Sequence, residues 1–376
     1  MKVKDRLKQK LSLKRGIKIC LVMIVKNESK IIERCLNSAK SIIDYVSICD
    51  TGSIDNTHEI IQNWCKNNNI PGTVHHEPFK NFGYNRTLSL NLAKKMYTFD
   101  YALLLDADME LEINDTFNKN LLFEDYYKVE QYNRIINYYN IRLINVKDNW
   151  ECIGVTHEYW NNTNITNVKL NTLKIKDFED GGSKEYKYKR DIELLTSALN
   201  EPGDEGVLKS RYYFYLAKSY KDIKDYDTAI IFFEKRIAQQ GWVEEVYYSI
   251  YSIGCCYEDK NETSMAIEKH LEAYNYRKSR AEALYSAVRV LRIIGKHLEA
   301  YKYALIGNKI KYPTNDILFI ESSVYDYLFD YEITIVASYL PEFKNHGRET
   351  ILKLLDRTDL PEWLTDNLKS NSKFYL

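Results

Sequence analysis

A chain of 376 residues, 45% of them hydrophobic, is long enough for two domains with separate cores. Lys plus Arg and Asp plus Glu each total 53, so the net charge is zero. That argues against nucleic acid as a main partner, which needs a net basic face. No run of 18 apolar residues occurs and none follows the basic N-terminus, which argues against a spanning helix and a signal peptide and for a soluble, cytoplasmic protein.

The N-terminal stretch, residues 1–15, carries seven Lys/Arg against one Asp, with Leu7, Leu11 and Leu13 interspersed. It reads as a solvated tail, with weak attachment to an anionic membrane surface as the alternative. The seven cysteines are scattered and show no CxxC spacing, so they read as reduced thiols in a reducing compartment rather than as a disulfide frame or zinc site.

From residue 17 the chain alternates short apolar runs with helical stretches. The run Ile17–Val25 reads as a buried strand followed by Lys26-Asn27-Glu28 and a helix to about Ala39. Tyr45–Cys49 reads as a second strand, ending in Asp50-Thr51-Gly52-Ser53-Ile54-Asp55-Asn56-Thr57 and a helix to about Lys66. Gly72–His75 opens a third unit, which runs through Asn81-Phe82-Gly83-Tyr84-Asn85-Arg86 into a helix ending near Met96. A fourth strand, from Tyr101, ends in Asp106-Ala107-Asp108. Strand and helix alternating at this spacing predict a mostly parallel α/β sheet with helices on both faces. Each polar cluster follows a strand, so all converge on the carboxyl edge where open α/β sheets bind ligands. If the fourth strand continued, Asp106 and Asp108 would share a face, and two hard oxygen donors there suit Mg²⁺ or Mn²⁺ holding a diphosphate.

The order Val25-Lys26-Asn27-Glu28, Asp50-Thr51-Gly52-Ser53, Asn81-Phe82, Asn85-Arg86, Leu105-Asp106-Ala107-Asp108 resembles family-2 glycosyltransferases, inverting enzymes with the GT-A nucleotide-sugar fold. Gly154-Val155-Thr156-His157-Glu158 resembles the Gly-x-x-His-Glu element of the subgroup that carries tetratricopeptide-like helices. The resemblance covers roughly residues 17–310. It implies a metal-dependent inverting transfer of a sugar from a nucleotide-sugar donor, UDP-linked by preference, to a hydroxyl of a protein or glycan. Asp108 is then the first metal ligand, and His157 a further one. Asp106 reaches the ribose or a metal-bound water. Glu158 is the candidate general base, with Asp180 beside Gly181-Gly182 as the fallback. His157 and Glu158 cannot both face a cleft from a regular strand, so a bulge or loop is required between them. Backbone at Val25 to Asn27, with Glu28, would face the donor, and Asp50 can accept the imide N–H of uracil. Ser53 and Asp55 read equally as turn and cap residues. Arg86 suits a phosphate or sugar hydroxyl, supported by Asn85. Lys187 and Arg190 resemble the family's Lys-x-x-Arg-Asn element, with Asp191 replacing Asn, and a solvated charge face is the favoured reading. The histidine the family usually carries near Asp177 or Phe178 is missing.

Beyond Pro202-Gly203 the pattern becomes helical. Ala229, Ala266 and Ala300 recur 37 and 34 residues apart, the period of tetratricopeptide-like hairpins. The expected organisation is a basic tail (1–16), a GT-A domain (17–200), helical repeats (201–312) and a helical extension (313–376). Stacked hairpins offer a surface for a polypeptide or glycan acceptor, or for a homodimer. The competing reading is an inactive transferase-like repeat protein that serves as an interaction scaffold. A nucleotidyltransferase fits less well, because no Gly-rich, basic first loop is present to hold a triphosphate.

Overall fold

The computed structural model describes residues 16–133, 137–161, 168–181, 187–201 and 207–375. The basic tail (1–15), Gly182, Pro202-Gly203 and Leu376 lie outside the described residues. The chain divides into two compact units, Met1–Ala198 and Leu199–Leu376.

Unit 1 is built on an eight-stranded sheet of order β3-β2-β1-β4-β7-β6-β10-β5, beside a two-stranded ribbon β8-β9. The strands are β1 Ile19–Val25, β2 Tyr45–Asp50, β3 Gly72–His76, β4 Tyr101–Leu104, β5 Met109–Ile113, β6 Tyr126–Tyr132, β7 Asn137–Asn145, β8 Glu151–Ile153, β9 Tyr159–Asn161 and β10 Val168–Asp177. The first four are parallel, as the βα spacing predicts. Past β4 the sheet is mixed. β7 runs antiparallel to β4 and β6, β10 is parallel to β6, and β5 is antiparallel to β10.

The inner parallel strands β1 and β4 are apolar because both of their faces are covered, whereas β3 at the sheet edge is Gly-Thr-Val-His-His and only partly buried. Ile19, Leu21, Met23 and Val25 of β1 face one core, and Cys20 and Val22 face the other. Helix α1 (Ile32–Ala39) buries Ile32, Cys35, Leu36 and Ala39 against the first face, the i, i+3, i+4, i+7 stripe of an amphipathic helix. Helix α2 (Thr57–Asn67) packs Ile61, Trp64 and Cys65 there too. Helix α3 (Phe82–Met96) covers the opposite face with Leu90 and Ala93. All seven cysteines are free and all but Cys255 are buried, as expected of thiols used as small apolar groups.

Helix α4 (Lys187–Asn200) follows β10. Unit 2 is helical. Its hairpins pair α5 (Val207–Asp222) with α6 (Tyr226–Ala238), α7 (Val243–Asp259) with α8 (Thr263–Tyr276), and α9 (Glu282–Ile293) with α10 (His297–Gly307). Ala229, Ala266 and Ala300 are fully buried on the second helix of each pair, where a small side chain lets the helices approach. The extension adds α11 (Phe329–Val336), α12 (Lys344–Leu355) and α13 (Glu362–Ser372). Tyr375 docks back, its hydroxyl donating to the Thr334 carbonyl, while Trp363 stays half exposed with its edge toward Tyr331. Among the described residues no helix is long and apolar enough to cross a membrane.

Gly254 shows how tightly the hairpins pack. A Cβ there would stand 2.5 Å from Nδ1 of the buried His270 on α8. Gly254→Ala is therefore expected to lower the melting temperature, because overpacking costs about 1–3 kcal/mol and outweighs the roughly 1 kcal/mol gain in helix propensity. Calorimetry of the full chain checks this. An unchanged or raised melting temperature would mean that α7 and α8 can move apart freely.

Candidate active site

The carboxyl ends of β1 and β4 open onto a cavity of about 500 Å³, within the range of small-molecule sites. Val25, Glu28, Arg86, Asp106, Asp108, His157 and Glu158 line it.

Arg86 organises the site. It lies in the first turn and a half of α3, whose start is held unusually close to the β8–β9 loop. Phe82 N donates to the Val155 carbonyl at 3.1 Å and Gly83 N to the Gly154 carbonyl at 3.0 Å. A Cβ on Gly83 would come within 2.4 Å of that carbonyl, so only glycine allows the approach. The helix thus places Arg86 Nη2 at 2.7 Å from Asp106 Oδ1, and Arg86 Nε donates to Glu158 Oε1 at 2.6 Å. Burial works against the charge on Arg86, but Asp106 and Glu158 overcome it and hold the guanidinium more firmly protonated than usual.

Asp106 has a second cation. Arg142 of β7 donates from Nη1 to Asp106 Oδ2 at 3.3 Å and to the Leu104 carbonyl at 3.4 Å. Its remaining donors reach Gln131 Oε1 at 2.7 and 3.2 Å, and Gln131 passes the chain on to Asp177 at 2.8 Å. Burial would push the Asp106 carboxyl up, yet the two arginines hold it below the usual carboxylate range.

The expectation that Asp106 and Asp108 share a strand face is corrected. β4 ends at Leu104, and the two aspartates lie on the turn that leads into β5, closed by Met109 N donating to the Asp106 carbonyl. Asp106 turns to the arginines. Asp108 turns toward Gly181, where a Cβ would lie 3.3 Å from Asp108 Oδ2 and 3.6 Å from Glu28 Oε1. Two hard oxygen donors thus flank a notch that any side chain at 181 would fill. That notch fits a magnesium- or manganese-type cation, whereas both oxygens of Asp106 are already engaged.

The loop required between His157 and Glu158 exists. Gly154 has φ +112° and His157 has φ +50°, so the backbone leaves strand geometry and both side chains reach the cavity. His157 Nε2 stands 3.9 Å from the buried Asp191, which also accepts from Thr156 Oγ1 at 3.1 Å. Burial raises the Asp191 carboxyl above its ordinary value, against the pull of Arg190. Lys187, which is exposed, and Arg190 both line the cavity, and Arg190 stacks over Phe82 at 4.8 Å.

Four expected donor residues do not line the cavity. Asp50 Oδ1 accepts from the Gly52 and Ser53 amides at 3.0 and 2.7 Å. Ser53 Oγ accepts from Asn27 N, and Asn27 Oδ1 accepts from Ile54 N, so these two staple the two loops together. Asn85 is fully buried and ties residues 78–81 to α3. Asp180, the fallback base, forms a two-pronged ion pair with Arg34 at 2.7 and 2.8 Å. Arg142, Gln131, Asp177 and Asp191 were not anticipated. The available signal was Arg142 itself, a charge between Ile141 and Leu143 on a strand otherwise apolar at that end.

The model of glycosyl transferase family 2 matches residues 20–178. These residues form a family 2 glycosyltransferase domain. A search of curated proteins found no match. Among solved structures the chain is similar to YrrB, a TPR protein with an unusual peptide-binding site (16% identity, TM-score 0.36, 50% of this chain and 86% of that one). It is also similar to MamA (16%, 0.32, 53% and 92%) and to the C-terminal part of a TPR repeat-containing protein from Cytophaga hutchinsonii (15%, 0.37, 50% and 68%).

The arginine pairing of Asp106 has a pH signature. A carboxyl whose pKa falls on folding stabilises the glycosyltransferase domain above its unfolded value, about 3.9, and loses that contribution as pH falls through the depressed native value. Asp106→Asn should cost about 2 kcal/mol or more at pH 7, discounted for partial exposure, with the gap from wild type narrowing below about pH 4. Urea unfolding at pH 7 and at about pH 3 measures this, and a gap independent of pH would contradict it.

Proposed function

We propose that the glycosyltransferase domain moves a sugar from a nucleotide-sugar, UDP-linked by preference, to an acceptor hydroxyl with inversion, assisted by Mn²⁺ or Mg²⁺. The observation that carries this reading is the convergence of Arg86, Asp106, Asp108, Glu28 and Glu158 on one cavity at the carboxyl edge of the parallel strands.

Asp108 and Glu28 are the proposed cation holders, and His157 and Asp106, which line the same cavity, are proposed to contribute through the bound donor. A divalent cation bound there would supply charge stabilisation for the departing diphosphate. Lys26, Lys187 and Arg190 line the same cavity and add positive charge for the diphosphate without a metal. Glu158 is the proposed base. Its carboxylate is oriented by Arg86 Nε, leaving an oxygen to take the acceptor proton as the hydroxyl attacks. Asp177 and Asp191 also line the cavity and are next in order for that role. Asp50 acts on the donor indirectly, through the turn whose Ser53 and Ile54 grip Asn27. The preference for UDP rests on the motif resemblance. The helical hairpins are proposed to take part in choosing a protein or glycan acceptor.

The test is release of nucleoside diphosphate from a panel of UDP-, GDP- and TDP-sugars with Mn²⁺. Turnover should be found with a UDP-sugar, fall to background in EDTA and drop by orders of magnitude in Asp108→Asn. No turnover on any donor, with no UDP-dependent thermal shift, would favour the inactive scaffold instead.

Glu158→Gln should keep UDP binding and lose roughly 10²- to 10⁴-fold in transfer, the usual contribution of a positioned base. Isothermal calorimetry with UDP beside a transfer assay separates the two effects. Near-normal transfer would move the base to Asp177 or Asp191.

A further inference from the structure

A second cluster of metal-type ligands lies on the same sheet edge, outside the cavity lining. Asp50, His58 and His76 each bring one ligand atom to within 4.8 Å of the others. The topology builds this grouping. Asp50 is the last residue of β2 and His76 the last of β3, and the parallel register pairs them directly. The 51–56 turn returns the chain so that His58 sits in the first turn of α2. The rings of His58 and His76 stack with centroids 4.5 Å apart and planes 25° from parallel.

One group in this cluster lacks the partner that burial normally demands. Nδ1 of His58 is shielded from solvent and has no hydrogen-bond partner. Asp50 is 2% exposed, and its Oδ1 accepts from both the Gly52 and Ser53 amides. A buried carboxylate facing two imidazoles lowers its desolvation cost if a cation shares the space.

We propose that Asp50, His58 and His76 bind a borderline divalent transition ion, Zn²⁺ by preference. Two imidazole nitrogens and one carboxylate oxygen suit Zn²⁺, with a fourth position for water, and suit Mg²⁺ poorly because it demands oxygen donors. Ligand atoms of one tetrahedral Zn²⁺ lie about 3.3 Å apart, given bonds of about 2.0–2.1 Å, so modest side-chain rotation closes the cluster onto the ion. The ion would clip the start of α2 and the end of β3 to the end of β2. It would thereby brace the 51–57 turn, whose Ser53, Asp55 and Thr57 side chains hold the backbone of Asn27, Ser29 and Glu28. The site does not depend on the proposed transferase reaction and differs from the Asp108–Glu28 notch in its donor set.

The experiment uses the full chain stripped with a chelator and then titrated with Zn²⁺ by calorimetry and with Co²⁺ as a visible-absorption reporter. Wild type should bind one equivalent at this site, gain melting temperature, and give the Co²⁺ bands of a site containing imidazole. His76→Gln, at an exposed position that tolerates the change, and His58→Gln should each weaken binding by at least the roughly 10- to 100-fold that loss of even an outer-sphere partner costs. Both should lose the Co²⁺ bands, while Asp108→Asn keeps them. Absence of Zn²⁺ binding in wild type overturns the proposal. Affinity within twofold of wild type in both histidine variants, or loss of the bands in Asp108→Asn, also overturns it by placing the ion elsewhere.

Discussion

Arg86 is the constraint on which the rest of the site depends. One guanidinium joins three pieces of chain that are far apart in sequence: the start of α3, the turn after β4 and the loop between β8 and β9. At contact distance each of these charge pairs is worth about 4 kcal/mol of attraction at an effective dielectric near 20, before desolvation is subtracted. The arrangement is stable only with all three members in place, because removing one leaves an uncompensated charge in a half-buried setting. It also rests on the backbone. Gly83 lets the helix start touch the Gly154 carbonyl, and the positive φ of Gly154 and His157 turns the loop back so that Glu158 meets the arginine. The cavity is thus framed by a helix terminus, a turn and a loop, all fixed to the parallel sheet.

Asp106 and Asp108 divide their labour because the strand stops before them. Had β4 continued, both would have faced one way. The turn instead sends Asp106 inward to two arginines and leaves Asp108 beside Glu28 at a glycine-sized notch. In the proposed reading the half-buried Asp106, neutralised by arginines, organises positive charge near a diphosphate, and Asp108 with Glu28 holds the cation. This assignment carries the Asp-x-Asp chemistry through one aspartate and its neighbour Glu28, with the other acting through Arg86 and Arg142.

Much of unit 1 was legible because β1, β2 and β4 are buried on both faces, which writes an apolar run bounded by polar turns. Arg86, Asp108, His157 and Glu158 stood out because each follows such a run or a glycine. The antiparallel half was harder to read. β6, β7 and β10 alternate Lys, Asn and Tyr with only partial burial, a pattern that solvated coil shares. Asn85 is hard to read for a related reason, since a buried amide that caps its own loop looks, in sequence, like a ligand beside an arginine. In unit 2 the buried alanines gave away the hairpins, but Arg280 did not announce itself. It lies in a Lys/Arg-rich stretch that reads as solvated, yet it is fully buried, paired with Glu282 at 3.0 Å and donating to the Leu318 carbonyl at 3.1 Å. Charge buried by tertiary pairing leaves no local signal.

The central claim is that the donor diphosphate and its cation sit at Asp108 and Glu28, above the Arg86 pairing. Crystals grown with UDP and Mn²⁺, with diffraction collected at the manganese absorption edge, test this most directly. The account expects one anomalous peak within coordination distance of Asp108, with the Arg86–Asp106 pair intact beneath it. A manganese peak bonded to Asp106 with Arg86 displaced, or UDP bound with no peak near Asp108, would contradict it.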